Sequence, residues 1–146
     1  HYWYSASGYE SGRKTCSLKL PETFWEDVEK LQHYMLKEIQ HRGITIETNP
    51  SSNLMIGPFS KYSELPLFKF FPPGGGEILR IPVPVNTDDK GVFATSLENE
   101  YSLVAIALRK QRDDKGNRRW NDKEIEDYLR QLALYGEMTR FKADSD

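Results

Sequence analysis

Phe24, Val28, Leu31, Met35 and Ile39 recur at steps of three and four, which lines them up in one apolar stripe. The spacing predicts a helix from Pro21 to about Arg42. Pro21 suits the first helical position, where a missing N–H costs nothing. Glu22, Glu26 and Asp27 complement the positive end of such a helix, and Lys37, His41 and Arg42 the negative end. Gly43 then follows as a left-handed terminator. The period changes at Ile44-Thr45-Ile46, which is β-branched throughout and reads as a buried parallel strand. Asn49-Pro50 ends it. Ser51, Ser52 and Asn53 are expected to hydrogen-bond back to the backbone in a sharp turn.

Ser60 to Phe71 reads as a short helix interrupted at Leu65-Pro66, with Phe68, Phe70 and Phe71 on an aromatic face. Pro72-Pro73-Gly74-Gly75-Gly76 is a connector. It follows a helix, not a strand, and lacks the Lys-Ser/Thr of a phosphate-binding loop. Ile78 to Val85 is the second expected strand, although Pro82 and Pro84 sit badly in a paired strand. Ser96 opens a helix to about Lys110, with Leu97, Tyr101, Val104, Ala105 and Leu108 inward. Gln111 to Trp120 is a charged loop. Asn121 and Glu124 form a capping box for a last helix that runs to about Tyr135, with Gly136 ending it. Residues 1–19 hold no lasting period and read as loop, with Tyr2, Trp3, Tyr4 and Tyr9 packing on a neighbouring surface. Helix, strand, helix, strand, helix, helix is the order of a parallel α/β unit.

Composition narrows the function classes. The chain has 146 residues with 38% hydrophobic and 29% charged content, which suits one modest globular domain and not a disordered segment. A formal net charge of −2 argues against a chain-wide attraction to nucleic acid or anionic membrane. Arg109, Lys110, Arg112, Arg118 and Arg119 form a local basic run, read as a solvated loop. Cys16 is the single cysteine, so no disulfide within the chain and no cysteine-rich zinc site can form. That favours a reducing compartment and a cytoplasmic protein. No run is long enough for a transmembrane helix. His33 and His41 lie eight positions apart, beyond the i, i+4 pairing of a helical zinc site, and read as surface residues.

The candidate chemistry sits at Val83-Pro84-Val85-Asn86-Thr87-Asp88-Asp89, where an apolar strand runs into two adjacent carboxylates. In a parallel α/β barrel the catalytic groups stand where strands end and loops begin. Two aspartates at such an end can divide their work, one on a metal and one on a substrate. By themselves they could equally cap a turn.

Three segments in order, Asn49-Pro50-Ser51-Ser52-Asn53, Thr87-Asp88-Asp89 and Ser96-Leu97-Glu98-Asn99-Glu100-Tyr101, resemble the last third of the adenosine deaminase family. The resemblance covers Ile44 to about Ala107, with a weaker match from Asn121 to Phe141. It implies the C-terminal portion of a (β/α)8 barrel, about two βα units plus terminal helices, over residues 20–146, with 1–19 as a loop or insert. It also implies Zn2+, whose bound water is acidified for attack on adenine C6, with ammonia leaving. Asp88 would then be a zinc ligand and Asp89 a contact to the purine. Adenosine, an adenine nucleotide or an adenosine within RNA would be the substrate. The family's His-x-His, later zinc-binding His, His-x-Gly-Glu proton donor and Gly-His-Gly/Ala stretch have no counterpart here. Catalytic residues are therefore expected upstream of His1, the remainder of the barrel is an expected partner, and residues 1–146 alone are expected to be inactive.

This sequence also departs from the family within the matched part. Asn49-Pro50 stands where Cys-Pro is common, and Leu65-Pro66 where His-Pro is often found. Its loops are long, which is similar to larger phage-defence adenosine deaminases that form big assemblies, and so a homo-oligomer is a further expectation. Two rival readings stand beside the deaminase: an inactive scaffold that keeps the fold, and a related metal-dependent hydrolase acting on another base.

Overall fold

A computed structural model of the protein describes residues 5–74 and 80–140. The chain divides into two compact units, His1–Gln32 and His33–Asp146, with the division inside one helix. In the first unit, residues expected as loop contain a short helix, α1 (Ala6–Gly12), started by the Ser5 side chain accepting from the Gly8 N–H. Tyr9 is exposed, with the Arg13 guanidinium 5.5 Å from its ring centre. The aromatic packing expected of Tyr2, Trp3 and Tyr4 lies outside the described residues. Helix α2 (Phe24–His41) starts three residues later than the sequence suggested, after a turn in which the Phe24 N–H donates to the Pro21 carbonyl.

The C-terminal end of α2 is built as the sequence predicts. Gly43 has φ of +64°, the Ile44 N–H reaches back to the Ile39 carbonyl, and the Gly43 N–H reaches the Gln40 carbonyl. That pair of bonds is the Schellman stop, and glycine enters its left-handed position without a Cβ penalty. The apolar stripe is only partly used. Leu36 is the residue α2 buries, whereas Leu31 and Met35 stand 58% and 53% exposed. An apolar period marks a face that wants a partner, and among the described residues that face is not covered.

The two expected strands are reduced to a single parallel bridge, Thr48 to Val85. The Thr48 N–H donates to the Pro84 carbonyl at 3.0 Å and the Asn86 N–H to the Thr48 carbonyl at 2.9 Å. One step earlier, the Ile46 N–H donates to the Pro82 carbonyl at 3.1 Å. The return bond at that step would have to come from the nitrogen of Pro84, which carries no hydrogen. The prolines therefore leave the segments side by side and parallel while removing alternate rungs of the ladder. No extended strand forms among the described residues. Ile78 and Leu79, the expected start of the second strand, lie outside them.

Around this pair pack α3 (Pro50–Ile56), a 3₁₀ turn (Tyr62–Glu64), α4 (Leu67–Phe70), α5 (Lys90–Phe93), α6 (Leu97–Lys110) and α7 (Asp122–Thr139). The core joins Leu65, Leu67 and Phe71 to Val83 and Val85, to Val104 and Leu108 of α6, and to Ile125, Tyr128 and Leu132 of α7. Phe71 is its centre. Its ring stacks on Tyr128 at 5.4 Å, meets Tyr135 edge-on at 5.3 Å, and lies 4.5 Å from the Arg80 guanidinium. The Tyr128 hydroxyl donates to the Phe71 carbonyl at 2.8 Å, and burial pushes its ionisation well above the ordinary tyrosine range. Gly74, at φ of +85°, brings its backbone so close to Trp120 that an added Cβ would lie 2.7 Å from the indole.

Helix α7 begins with the expected capping box. The Glu124 N–H donates to Asn121 Oδ1 at 2.9 Å, and the Asn121 N–H to Glu124 Oε2 at 2.7 Å. It does not stop at Gly136 but continues to Thr139. The Arg140 N–H bonds to the Gly136 carbonyl, and the helix absorbs an internal glycine at a cost of about 1 kcal/mol. Asn121→Ala would orphan the Glu124 N–H, and the expected loss is about 1 kcal/mol of stability in denaturant unfolding. A change within the error of the extrapolation would mean that the box is solvated already.

Candidate functional site

Asn49-Pro50, read from the sequence as a strand end, is also the start of a helix. Pro50 occupies the first helical position of α3, where it needs no donor. Asn49 makes no side-chain cap bond, and its Oδ1 is buried without a partner among the described residues. Pro50, Ser51 and Ser52 are buried where α3 begins. Asn53 reaches back, its Oδ1 accepting from the Asn49 N–H at 3.3 Å and from Thr48 Oγ1 at 3.4 Å. The loop thus ties the end of the first parallel segment to the first turn of α3.

The second segment ends at Thr87, which is buried, and Asp88 and Asp89, which are exposed. Asp88 has φ of +57°, a left-handed backbone uncommon for a side-chain-bearing residue but easier for Asp and Asn than for most. Its Oδ2 accepts the Ser52 hydroxyl at 2.8 Å, so the two segment ends meet through these side chains. Its Oδ1 has no hydrogen-bond partner among the described residues. Asp89 caps α5: its Oδ1 accepts the N–H groups of Gly91 and Val92 at 2.9 and 3.1 Å. The turn-capping role that two adjacent aspartates could serve is thus filled by Asp89 and not by Asp88. The second carboxylate oxygen of Asp89 has no partner among the described residues.

A third carboxylate belongs to the arrangement, and sequence reasoning gave it no role beyond the charge at a helix start. Glu100, in the first turn of α6, is 0% exposed. Its Oε2 accepts the Ser51 N–H at 2.9 Å and its Oε1 the Thr95 hydroxyl at 2.6 Å. Its place in the Ser-Leu-x-x-Glu-Tyr stretch was the signal available for it.

The remaining candidates separate from this site. His33 and His41 are exposed on α2. The basic run is tied up internally: Asp122 accepts from Arg118 at 2.9 Å and from Arg109 at 3.2 Å. The Arg118 guanidinium, followed by that of Arg109, holds the Asp122 carboxyl below its ordinary range. Residues 111–120 fold as a tight turn around Asp113, with Arg112 bridging Arg118.

Among the described residues, no three His, Cys, Asp or Glu side chains converge closely enough to hold a metal ion. Asp88 can supply one ligand through Oδ1, with Oδ2 oriented by Ser52. A catalytic zinc needs several protein ligands, so the described residues do not complete such a site. No helix among them is long and apolar enough to cross a membrane.

Comparison with known proteins matches the adenosine deaminase family model to residues 23–132. An aminodeoxyfutalosine deaminase of Streptomyces coelicolor is 30% identical over a match covering 60% of this chain and 24% of that protein. A second, from Acidothermus cellulolyticus, is 36% identical over 46% of this chain and 17% of the relative. An adenine deaminase of Sinorhizobium medicae is 28% identical over 51% of this chain and 21% of the relative. The chain thus spans about a quarter or less of the curated relatives it matches. No solved structure gives a significant match.

Proposed function

The chain belongs to the adenosine deaminase family, and we propose that it contributes the Asp88–Asp89 pair to the active site of a zinc-dependent hydrolytic deaminase acting on an adenine ring. The observation that carries this reading is the unequal treatment of two neighbouring carboxylates. Asp88 is held in a left-handed backbone by a segment end and oriented by Ser52. Asp89 is anchored as a helix cap with one oxygen left over. That division suits one metal ligand and one hydrogen-bond acceptor for substrate.

Zinc, when bound, would supply an acidified water and polarise the reacting centre. This chain's residues would do the rest of the local work. Asp88 would hold the metal through Oδ1, and Ser52 would stop the carboxylate from rotating. Asp89 would accept a hydrogen bond from the base through the oxygen not used in capping α5. The parallel pairing of residues 46–48 with 82–86 fits the last two strands of a (β/α)8 barrel, with α3 and α6 beginning at its catalytic end. The remaining strands, ligands and proton-transfer groups would come from outside the described residues.

Asp89→Asn is the test, because Asn caps a helix about as well as Asp and so leaves α5 in place. Loss of a charged acceptor for the substrate should lower kcat/KM by roughly 10- to 100-fold, with zinc stoichiometry unchanged. Ammonia release would be followed in the intact protein on adenine, adenosine, adenosine monophosphate, aminodeoxyfutalosine and an adenosine-containing oligoribonucleotide. Zinc lost together with activity would exchange the two roles. A wild-type protein inert toward every 6-aminopurine would leave the inactive-scaffold or other-base readings instead.

A further inference from the structure

Glu100 is a fully buried carboxylate that the proposed chemistry does not use. Burying such a group is costly unless its oxygens are hydrogen-bonded. Here both are, one by the Ser51 N–H at 2.9 Å and one by the Thr95 hydroxyl at 2.6 Å. Ser51 is the second residue of α3, whose own N-cap side chain makes no cap bond. Glu100 therefore supplies, from 49 positions away in sequence, an acceptor that the local chain does not provide.

The residue after Ser51 is Ser52, 1% exposed, whose hydroxyl donates to Asp88 Oδ2 at 2.8 Å. A continuous path thus runs from the Glu100 carboxylate through the first turn of α3 to the Asp88 carboxylate. Asp88 has need of it: its backbone is left-handed at φ of +57°, and Ser52 is the hydrogen-bond donor to its carboxylate among the described residues. A conformation of that kind persists when its surroundings over-determine it.

We propose that Glu100 is a positioning residue for the metal ligand. By pinning the Ser51 N–H it fixes the start of α3, aims the Ser52 hydroxyl at Oδ2, and leaves Oδ1 of Asp88 turned toward the metal. The proposal rests on Asp88 being a zinc ligand. It assigns Glu100 no contact with substrate and no proton transfer.

The experiment is a double-mutant cycle read by zinc affinity, using competition with a chelator on the intact protein. Glu100→Gln keeps the side chain's shape and removes its charge. Its amide N–H₂ group can be accepted by Thr95 Oγ1, but the weaker acceptor left for the Ser51 N–H loosens α3. Ser52→Ala removes the hydroxyl at the other end of the path. Each variant should weaken zinc binding on the order of 10-fold, as losses of outer-shell partners do. The double variant should be no weaker than the worse single one, because both cut the same path.

Multiplying effects would overturn the proposal, as would a lowered Tm with unchanged zinc affinity in Glu100→Gln. Should Glu100→Gln fail to fold, Ser52→Ala alone decides: unchanged zinc affinity there removes the link to Asp88. Asp88→Asn is measured alongside. If that variant keeps wild-type zinc affinity, the metal-ligand reading has failed, and the relay falls with it.

Discussion

Asp88→Asn is expected to strip zinc from the intact protein and to lower deamination by a factor on the order of 1,000 or more. The substitution isolates charge from structure. Asn tolerates a left-handed backbone as Asp does, so the φ of +57° at position 88 is not a reason for misfolding. Its amide oxygen can still accept the Ser52 hydroxyl that Oδ2 accepts in the wild type at 2.8 Å. What disappears is the anionic ligand, and a neutral amide is a poor substitute among the donors that zinc prefers. Zinc content by elemental analysis and ammonia release would be compared at equal melting temperature. Full activity with full zinc would remove Asp88 from the site.

The second large effect concerns stability. Phe71→Ala should cost about 3–5 kcal/mol, as truncation of a buried aromatic does. Phe71 is fully buried, and its ring touches Tyr128, Tyr135 and Arg80 at once. Its removal opens a cavity between α4 and α7 and leaves the Arg80 guanidinium without its aromatic face. Against a typical total of about 5–15 kcal/mol, that loss is severe. Denaturant unfolding of the intact protein would measure it. Ile56→Ala, at a side chain that is 75% exposed, should change stability by no more than about 0.5 kcal/mol. Equal costs at the two positions would mean that the core is not centred on Phe71.

Much of this fold is written in local chemistry and was therefore legible. The Ser96 cap of α6, the Asn121–Glu124 box of α7 and the Gly43 stop of α2 each depend on a few adjacent residues. Where the outcome depends on distant partners, legibility ended. The apolar stripe of α2 named a face, yet Leu36 is the residue that became buried. Asn49-Pro50 carried a helix-start signal that was read as a turn, because Ser51, Ser52 and Asn53 present no apolar stripe to continue it. The two strands were recognisable as β-branched segments. Pro82 and Pro84 then removed the donors that would have made them a ladder.

The site shows the same boundary. Asp88 and Asp89 stood out as a pair, and the structure gives them different surroundings, which no spacing rule could foretell. Asp89 became a cap because Gly91 and Val92 follow it in a short helical turn. Asp88 met Ser52 because two segments that are 36 positions apart run parallel. Glu100 was hidden by the same kind of distance. Read alone it is an acidic residue at a helix start, and its burial depends on Ser51 arriving from α3.

The claim on which the account rests is that Asp88 ligates the metal and Asp89 does not. Anomalous diffraction at the zinc edge from crystals of the intact, zinc-loaded protein tests it most directly. The account predicts a peak about 2.0–2.2 Å from one Asp88 carboxylate oxygen, the distance of a zinc–carboxylate bond. Ser52 would still donate to the other oxygen, and both oxygens of Asp89 would lie outside coordination range. A peak on Asp89, or zinc bound with neither aspartate among its ligands, would contradict it.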